Sequence, residues 1–249
     1  MIGVREEEGV TILELAHGKA NAMDLELCRH LIHVLDTIRD SCRAVVITAG
    51  GRIFSAGVDL LRLLDGGEEY AHAFVPALID AFRVLFEFPR PVIAAVNGHA
   101  VAGGCVLACA ADYRVLAGEG AKIGIPELRV GVPFPAAAIE IMREVLTPSR
   151  FRSLVLGGAT LDPAAAEEWG LVDRVVPATE LMGAALTAAR DLMSIPPDVF
   201  RVTKLQMRLP AIMRIAAADQ KYGGDVLRIW GMEETRASVQ SYVQKTLRR

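Results

Sequence analysis

The sequence predicts an α/β fold of layered, mostly parallel strands with a helical C-terminal region. Three observations predict it. Strand-like and helix-like runs alternate through the first half of the chain, two turns of small residues each follow an apolar strand-like run, and from Pro163 onward most segments carry a helical pattern. Strands alternating with helices bury a mostly parallel sheet under its crossovers. The 249 residues are enough for one large domain or two small ones. They divide economically into a core domain, residues 1–195, and a C-terminal helical region, residues 196–249, with no disordered linker or short-period repeat.

The elements follow in order. Residues 10–16 alternate apolar and polar side chains and read as a strand. Asn21 reads as an N-cap, with Asp24 in the first turn of a helix whose apolar stripe is Leu27, Leu31, Val34, Leu35 and Ile38. Residues 44–48 are a short β-branched run suited to a buried strand. Residues 60–69, containing Asp65-Gly66-Gly67, read as a loop bordering a pocket. Tyr70, Phe74, Ala77, Leu78, Ala81, Phe82 and Leu85 form a second helical stripe, broken by Pro89 and Pro91. Residues 92–96 read as a strand, 103–111 as an apolar helix, and 112–116, 122–124 and 172–176 as short strands. Residues 164–168, 180–193, 197–208 and 210–247 read as helices, with breaks at Pro196-Pro197, Pro210 and Gly223-Gly224.

Composition narrows the function classes. The chain is 52% hydrophobic and 23% charged, ordinary globular material with a generous core. A net charge of −3 with scattered Lys and Arg gives no nucleic-acid footprint. No apolar run reaches bilayer-spanning length, the acidic first residues lack the order of a signal peptide, and the terminal Lys-Thr-Leu-Arg-Arg is not a peroxisomal address. A cytoplasmic enzyme with no membrane partner is the expectation. Cys28, Cys42, Cys105 and Cys109 form no C-x-x-C pair and read as small buried hydrophobes. His30 and His33 share a helix face but have no third ligand nearby, so no metal is expected.

The chemistry is concentrated in the two turns, Phe-Ser-Ala-Gly-Val-Asp at 54–59 and Asn-Gly-His-Ala-Val-Ala-Gly-Gly at 97–104. The second leads directly into an apolar helix, and free N–H groups at a helix N-terminus carry partial positive charge. Two such groups aimed at one point make an oxyanion hole.

The pair resembles the acyl-CoA-binding signatures of the crotonase (enoyl-CoA hydratase/isomerase) superfamily, and the likeness covers nearly the whole chain. Gly18-Lys19-Ala20-Asn21-Ala22-Met23 resembles the family's N-terminal turn beside CoA. Residues 123–131, Ile-Gly-Ile-Pro-Glu-Leu-Arg-Val-Gly, resemble the segment bearing a catalytic glutamate, and residues 166–177 the helix-to-strand closing motif. The resemblance implies a spiral of ββα units with perpendicular sheets, a C-terminal region for oligomerisation and active-site cover, and a homotrimer or a dimer of trimers. It implies an acyl-CoA thioester substrate and no separate cofactor, coenzyme A being part of the substrate.

Carried over residue by residue, the oxyanion donors are the backbone N–H groups of Val58 and Gly103, and Glu127 is the catalytic glutamate. Lys19, Ala20, Ala22, Ala56, Asp59, Leu60, Gly104 and Val106 are the substrate-binding positions that the resemblance implies. Asp59 organises its loop rather than reacting, and His99 packs or caps within the second turn. Ala102 stands where the family has the first glycine of a triple run, a mild departure because the donors are backbone groups. The larger departure is Val106, which occupies the position of the hydratases' first carboxylate. Valine neither holds water nor moves a proton, whereas moving a double bond from the 3,4 to the 2,3 position needs one base to shuttle one proton. No acid lies between Glu127 and Glu140, against a dienoyl-CoA isomerase. The expected activity is therefore a 3-to-2 enoyl-CoA isomerase. Its alternatives are a hydratase with a substitute acid, another enolate reaction such as decarboxylation or thioester hydrolysis, and a non-catalytic acyl-CoA-binding subunit, which retention of Glu127 speaks against. Val106, Ile125, Leu128 and Val130 predict an apolar surround that raises the Glu127 pKa towards neutrality.

Overall fold

The computed structural model describes residues 1–246. Two sheets carry the fold. The larger has strand order β1(Ile2–Glu7), β2(Val10–Leu15), β3(Val45–Ala49), β5(Val92–Val96), β7(Tyr113–Ala117) and β10(Arg174–Val176). Only β1 runs antiparallel to its neighbour. The smaller comprises β4(Ile53–Ser55), β6(His99–Val101), β8(Ile123–Gly124) and β9(Thr160–Leu161). Every residue of β3 and β5 is buried, as expected for parallel strands covered on both faces. Side chains alternate between two cores: Val45 and Ile47 face the main one, while Val46, Ile93 and Ala95 face a second, closed by Leu181, Ala185 and Ala189 of α8(Leu181–Met193).

Helices α1(Leu25–Ile38), α2(Leu60–Phe86) and α3(Gly103–Cys109) pack on the main core. The cap of α1 is Asp24, not Asn21: the Asp24 carboxylate accepts from the N–H of Leu27 at 2.7 Å. Asn21 instead adopts a left-handed conformation, φ 47°, accepting from His17 N–H and donating to the carbonyl of Ile53. It ties the Gly18–Ala22 turn to β4. Residues 60–69 are not a loop. Asp59 caps the segment through Arg62 N–H at 3.0 Å, so helix begins at once, and Gly66-Gly67 only kinks it, Gly67 having φ 60° and ψ −150°.

The middle of the chain adds α4(Glu127–Val130), α5(Ala136–Val145), α6(Pro148–Gly157) and α7(Pro163–Trp169). The last two helices correct the expected breaks. One helix, α9(Pro197–Gly231), runs through both Pro210 and Gly223-Gly224. Burial of Arg208, Ala211 and Ile215 against α2 and α5 holds it together across the hydrogen bond that proline removes. The chain turns at Met232, whose backbone is extended, and α10(Glu233–Thr246) follows. Position 247, the end of the expected helix, lies outside the described residues. Helix α10 packs across α4 and α2: a Cβ on Gly131 would lie 2.7 Å from the Cβ of Ser238. No helix among the described residues is long and apolar enough to cross a membrane.

Candidate active site

The two turns are pressed together. A Cβ added to Gly57 would lie 2.6 Å from the Ala102 Cβ and 2.9 Å from the Gly103 nitrogen. One on Gly104 would lie 2.4 Å from the Ser55 carbonyl oxygen, so only hydrogen side chains permit this approach. The third segment joins through backbone bonds. Ala56 N–H donates to Ala20 at 3.0 Å, Met23 N–H to Gly57 at 2.7 Å and Asp59 N–H to Met23 at 2.9 Å. Met23 and Val58 thus form a parallel bridge. Both bonds of the bridge come from the neighbours of Val58, so its own N–H faces the other way and has no acceptor among the described residues. The N–H of Gly103 opens α3 and is likewise without an acceptor there.

Ala102 supports the second donor at a cost. Its φ of 53° and ψ of −128° suit glycine, and such backbone strain costs an L-residue roughly 1–3 kcal/mol. Ala102→Gly is expected to stabilise the protein by about 1 kcal/mol after the entropy of glycine is counted. Thermal unfolding should register this as a Tm gain of about 2–4 °C.

Glu127 reaches the same region through the smaller sheet. Ala102 N–H donates to the Gly124 carbonyl at 2.7 Å, and Glu127 follows three residues later as the first residue of α4. Its side chain is buried, 8% exposed, and its Oε2 has no hydrogen-bond partner. Desolvation pushes its pKa up to about 8 from the usual 4.5. Its nearby chain neighbour Arg129 does not pair with it, donating instead to the Gly157 carbonyl at 2.7 Å. Val106, Ile125 and Val130 are buried as expected, but Leu128 is 43% exposed and does not belong to the apolar surround. Glu140, the next acid, is engaged by Arg143 and Arg214.

Of the other expected residues, Ala20 and Ala56 bond to each other where the segments join, Ala22 is half-buried beside them in sequence, Asp59 serves as the α2 cap, and Leu60 begins that helix. Gly104 is a packing contact and Val106 lies inside α3. Lys19 is exposed on its turn. His99 is structural, its Nδ1 accepting from Lys122 N–H. All four cysteines are free and buried. Sequence reasoning missed three supports. Ser55 Oγ donates to Asn21 at 2.7 Å and accepts from Gly57 N–H. Met23 Sδ and Phe82 back the Gly103 position, 3.1 and 3.5 Å from where a Cβ would stand. Both Ser55 and Met23 fall within the quoted motifs; Phe82 had shown only as part of a core stripe. A cavity of about 290 Å³ between α2 and the α9–α10 corner is framed by Leu63, Leu64, Gly67, Trp230 and Thr235. A cavity of about 950 Å³, whose lining does not include Glu127, lies at the far end of α3.

This arrangement is the crotonase fold. The human mitochondrial delta3-delta2-enoyl-CoA isomerase structure superposes with a TM-score of 0.93 at 25% identity, covering 99% of this chain and 98% of its own. The chain belongs to the enoyl-CoA hydratase/isomerase family, whose sequence model matches residues 5–247. A probable enoyl-CoA hydratase of Mycobacterium avium (strain 104) is 31% identical over 224 residues, 87% of this chain and 86% of that protein. The carnitinyl-CoA dehydratase of Salmonella agona (strain SL483) is 35% identical over 201 residues, 77% of this chain and 76% of that protein.

Proposed function

We propose that the protein is a 3-to-2 enoyl-CoA isomerase. The Val58 and Gly103 N–H groups hold the thioester oxygen as charge develops on it. Glu127 removes a proton from C2, leaving a dienolate, and returns that proton to C4. The double bond moves, and no water enters. The observation that carries this reading is the single desolvated, unpartnered carboxyl of Glu127 in a site whose second carboxylate position is the buried Val106. A raised pKa suits a group that must act as base in one half and acid in the other. The similarity to a delta3-delta2-enoyl-CoA isomerase supports it as well. Hydration of a 2-enoyl-CoA is the second reading, favoured by the hydratase and dehydratase names of the sequence relatives. Turnover of 3-enoyl-CoA, followed as the rise of conjugated-thioester absorbance, tests the first reading, and a flat trace at micromolar enzyme removes it.

On this reading coenzyme A enters only as part of the substrate, and the cavity beyond Leu63 takes the acyl tail. Residues 196–249 then act as a unit that covers the site through α10 and mediates assembly. Helix α9 leaves Val199, Val202, Met207, Leu209 and Met213 exposed, apolar surface that supports a role in assembly. A homotrimer or dimer of trimers is the expected state, and a stable monomer in sedimentation at micromolar concentration would contradict it.

A further inference from the structure

We propose that Arg208 is a positioning residue: from α9 it clamps the C-terminal end of α3 and so sets where the Gly103 N–H points at the other end. The inference rests on the reading of Gly103 as an oxyanion donor.

The clamp is built from many bonds. The Arg208 guanidinium donates to the carbonyls of Phe86, Ala110 at 3.3 Å and Ala111 at 3.4 Å, and to Asp112 Oδ1 at 2.6 Å. Its centre lies 4.1 Å from the Phe86 ring centroid. Ala110 and Ala111 directly follow the last residue of α3, where a helix leaves carbonyls without partners and where a cation complements its dipole. One turn earlier on α9, Lys204 donates to Asp112 Oδ2 at 2.7 Å and to the Arg90 carbonyl at 3.0 Å. Asp112 also accepts from Val92 N–H at 2.8 Å, so the knot joins the start of β5 to the end of α3.

The consequence follows from stiffness. All seven residues of α3 are buried, and a seven-residue helix is a rod about 10 Å long. Close packing leaves it no lateral room. At its N-terminus, Gly57 and Ser55 abut Gly103 and Gly104 without backbone bonds to them. The rod is thus held at both ends, by paired strand β6 and the Ala102 N–H bond to Gly124 before its first residue and by the Arg208 fork after its last, and loosening the fork frees one of the two holds. A misplacement of about 1 Å in a catalytic group costs about 10²-fold in rate. Lysine has the charge but not the planar fork, and cannot reach all of these oxygens together. The cavity of about 950 Å³ beside Arg208 and Asp112 gives water room to take up carbonyls that a shorter side chain releases.

The test is Arg208→Lys in the full-length protein, with Asp112→Asn as a second variant that keeps Arg208 in place but loosens its anchor. Three readouts are taken: kcat and KM with 3-enoyl-CoA, thermal unfolding, and the isotope-edited infrared band of a 13C-labelled thioester carbonyl in bound saturated acyl-CoA. The expected result is a kcat lower by 10-fold or more, KM within about 2-fold, and a smaller red shift of the carbonyl band. A kcat and band equal to wild type, whatever the loss in Tm, make Arg208 merely structural and overturn the inference. Wild-type protein with neither turnover nor a red shift would instead overturn the underlying reading of the site.

Discussion

Glu127→Gln is expected to lower isomerisation by about 10²–10⁴-fold, the usual worth of a positioned proton-transfer group, while acyl-CoA still binds. The amide keeps the shape of the carboxyl and loses its basicity. In the wild-type protein the base must be ionised, and burial holds its pKa at about 8, so kcat/KM should climb as pH rises towards that value. Steady-state rates of the variant, and the pH profile of the wild type, check both statements. Full activity in Glu127→Gln would put the base elsewhere.

The same substitution has a stability consequence of the opposite sense. Glu127 ionises near pH 8 in the fold and near its usual 4.5 in the unfolded chain. Between those values the native state holds a proton that the unfolded chain has released, so stability falls as pH rises across the window. The buried glutamine has no charge to desolvate. Above pH 8 Glu127→Gln is thus expected to exceed wild type in stability by on the order of a few kcal/mol, a gap that closes near pH 4.5. Urea unfolding at pH 5 and pH 9 reads it directly. A catalytic carboxyl kept at a cost to stability behaves in this way, whereas a carboxyl serving the fold would give the reverse.

Gly103→Pro is the second large effect. Gly103 is the first residue of α3, where proline is tolerated, so the substitution deletes one N–H with little harm to the helix. The added Cβ meets the flexible Met23 thioether first, at 3.1 Å. Loss of one oxyanion donor is expected to cost about 10²–10³ in kcat, with acyl-CoA affinity changed far less. An unchanged kcat in a folded variant would remove Gly103 from the mechanism.

The legible parts of this protein were those where residue type is forced by close approach. Gly57 and Gly104 sit where a side chain would strike the facing turn, and that need shows in the sequence as two small-residue runs. The long buried strands were equally visible, because parallel strands covered on both faces become unbroken apolar runs. Strands of two or three residues carry no period: β4, β6 and β9 were not anticipated, while β8 and β10 were, within residues 122–124 and 172–176. Helix breaks were misjudged where tertiary burial overrides local preference, as at Pro210, or where a cap starts a helix early, as Asp59 does ahead of Gly66-Gly67. The isolation of Glu127 was only half legible: its apolar neighbours suggested a raised pKa, but Leu128 turns outward and the empty Oε2 emerges only in three dimensions. Nothing local in the sequence joins Arg208 to the end of a helix nearly a hundred positions earlier.

The central claim is that one carboxyl moves one proton and no water is added. Incubating the protein separately with 3-enoyl-CoA and 2-enoyl-CoA in 18O-labelled water, followed by mass spectrometry of the thioesters, tests it most directly. The account predicts conversion of the 3-enoyl ester to a 2-enoyl ester of equal mass, with no label in either reaction. Accumulation of 18O-labelled 3-hydroxyacyl-CoA from the 2-enoyl ester, with the 3-enoyl ester left unchanged, would contradict it.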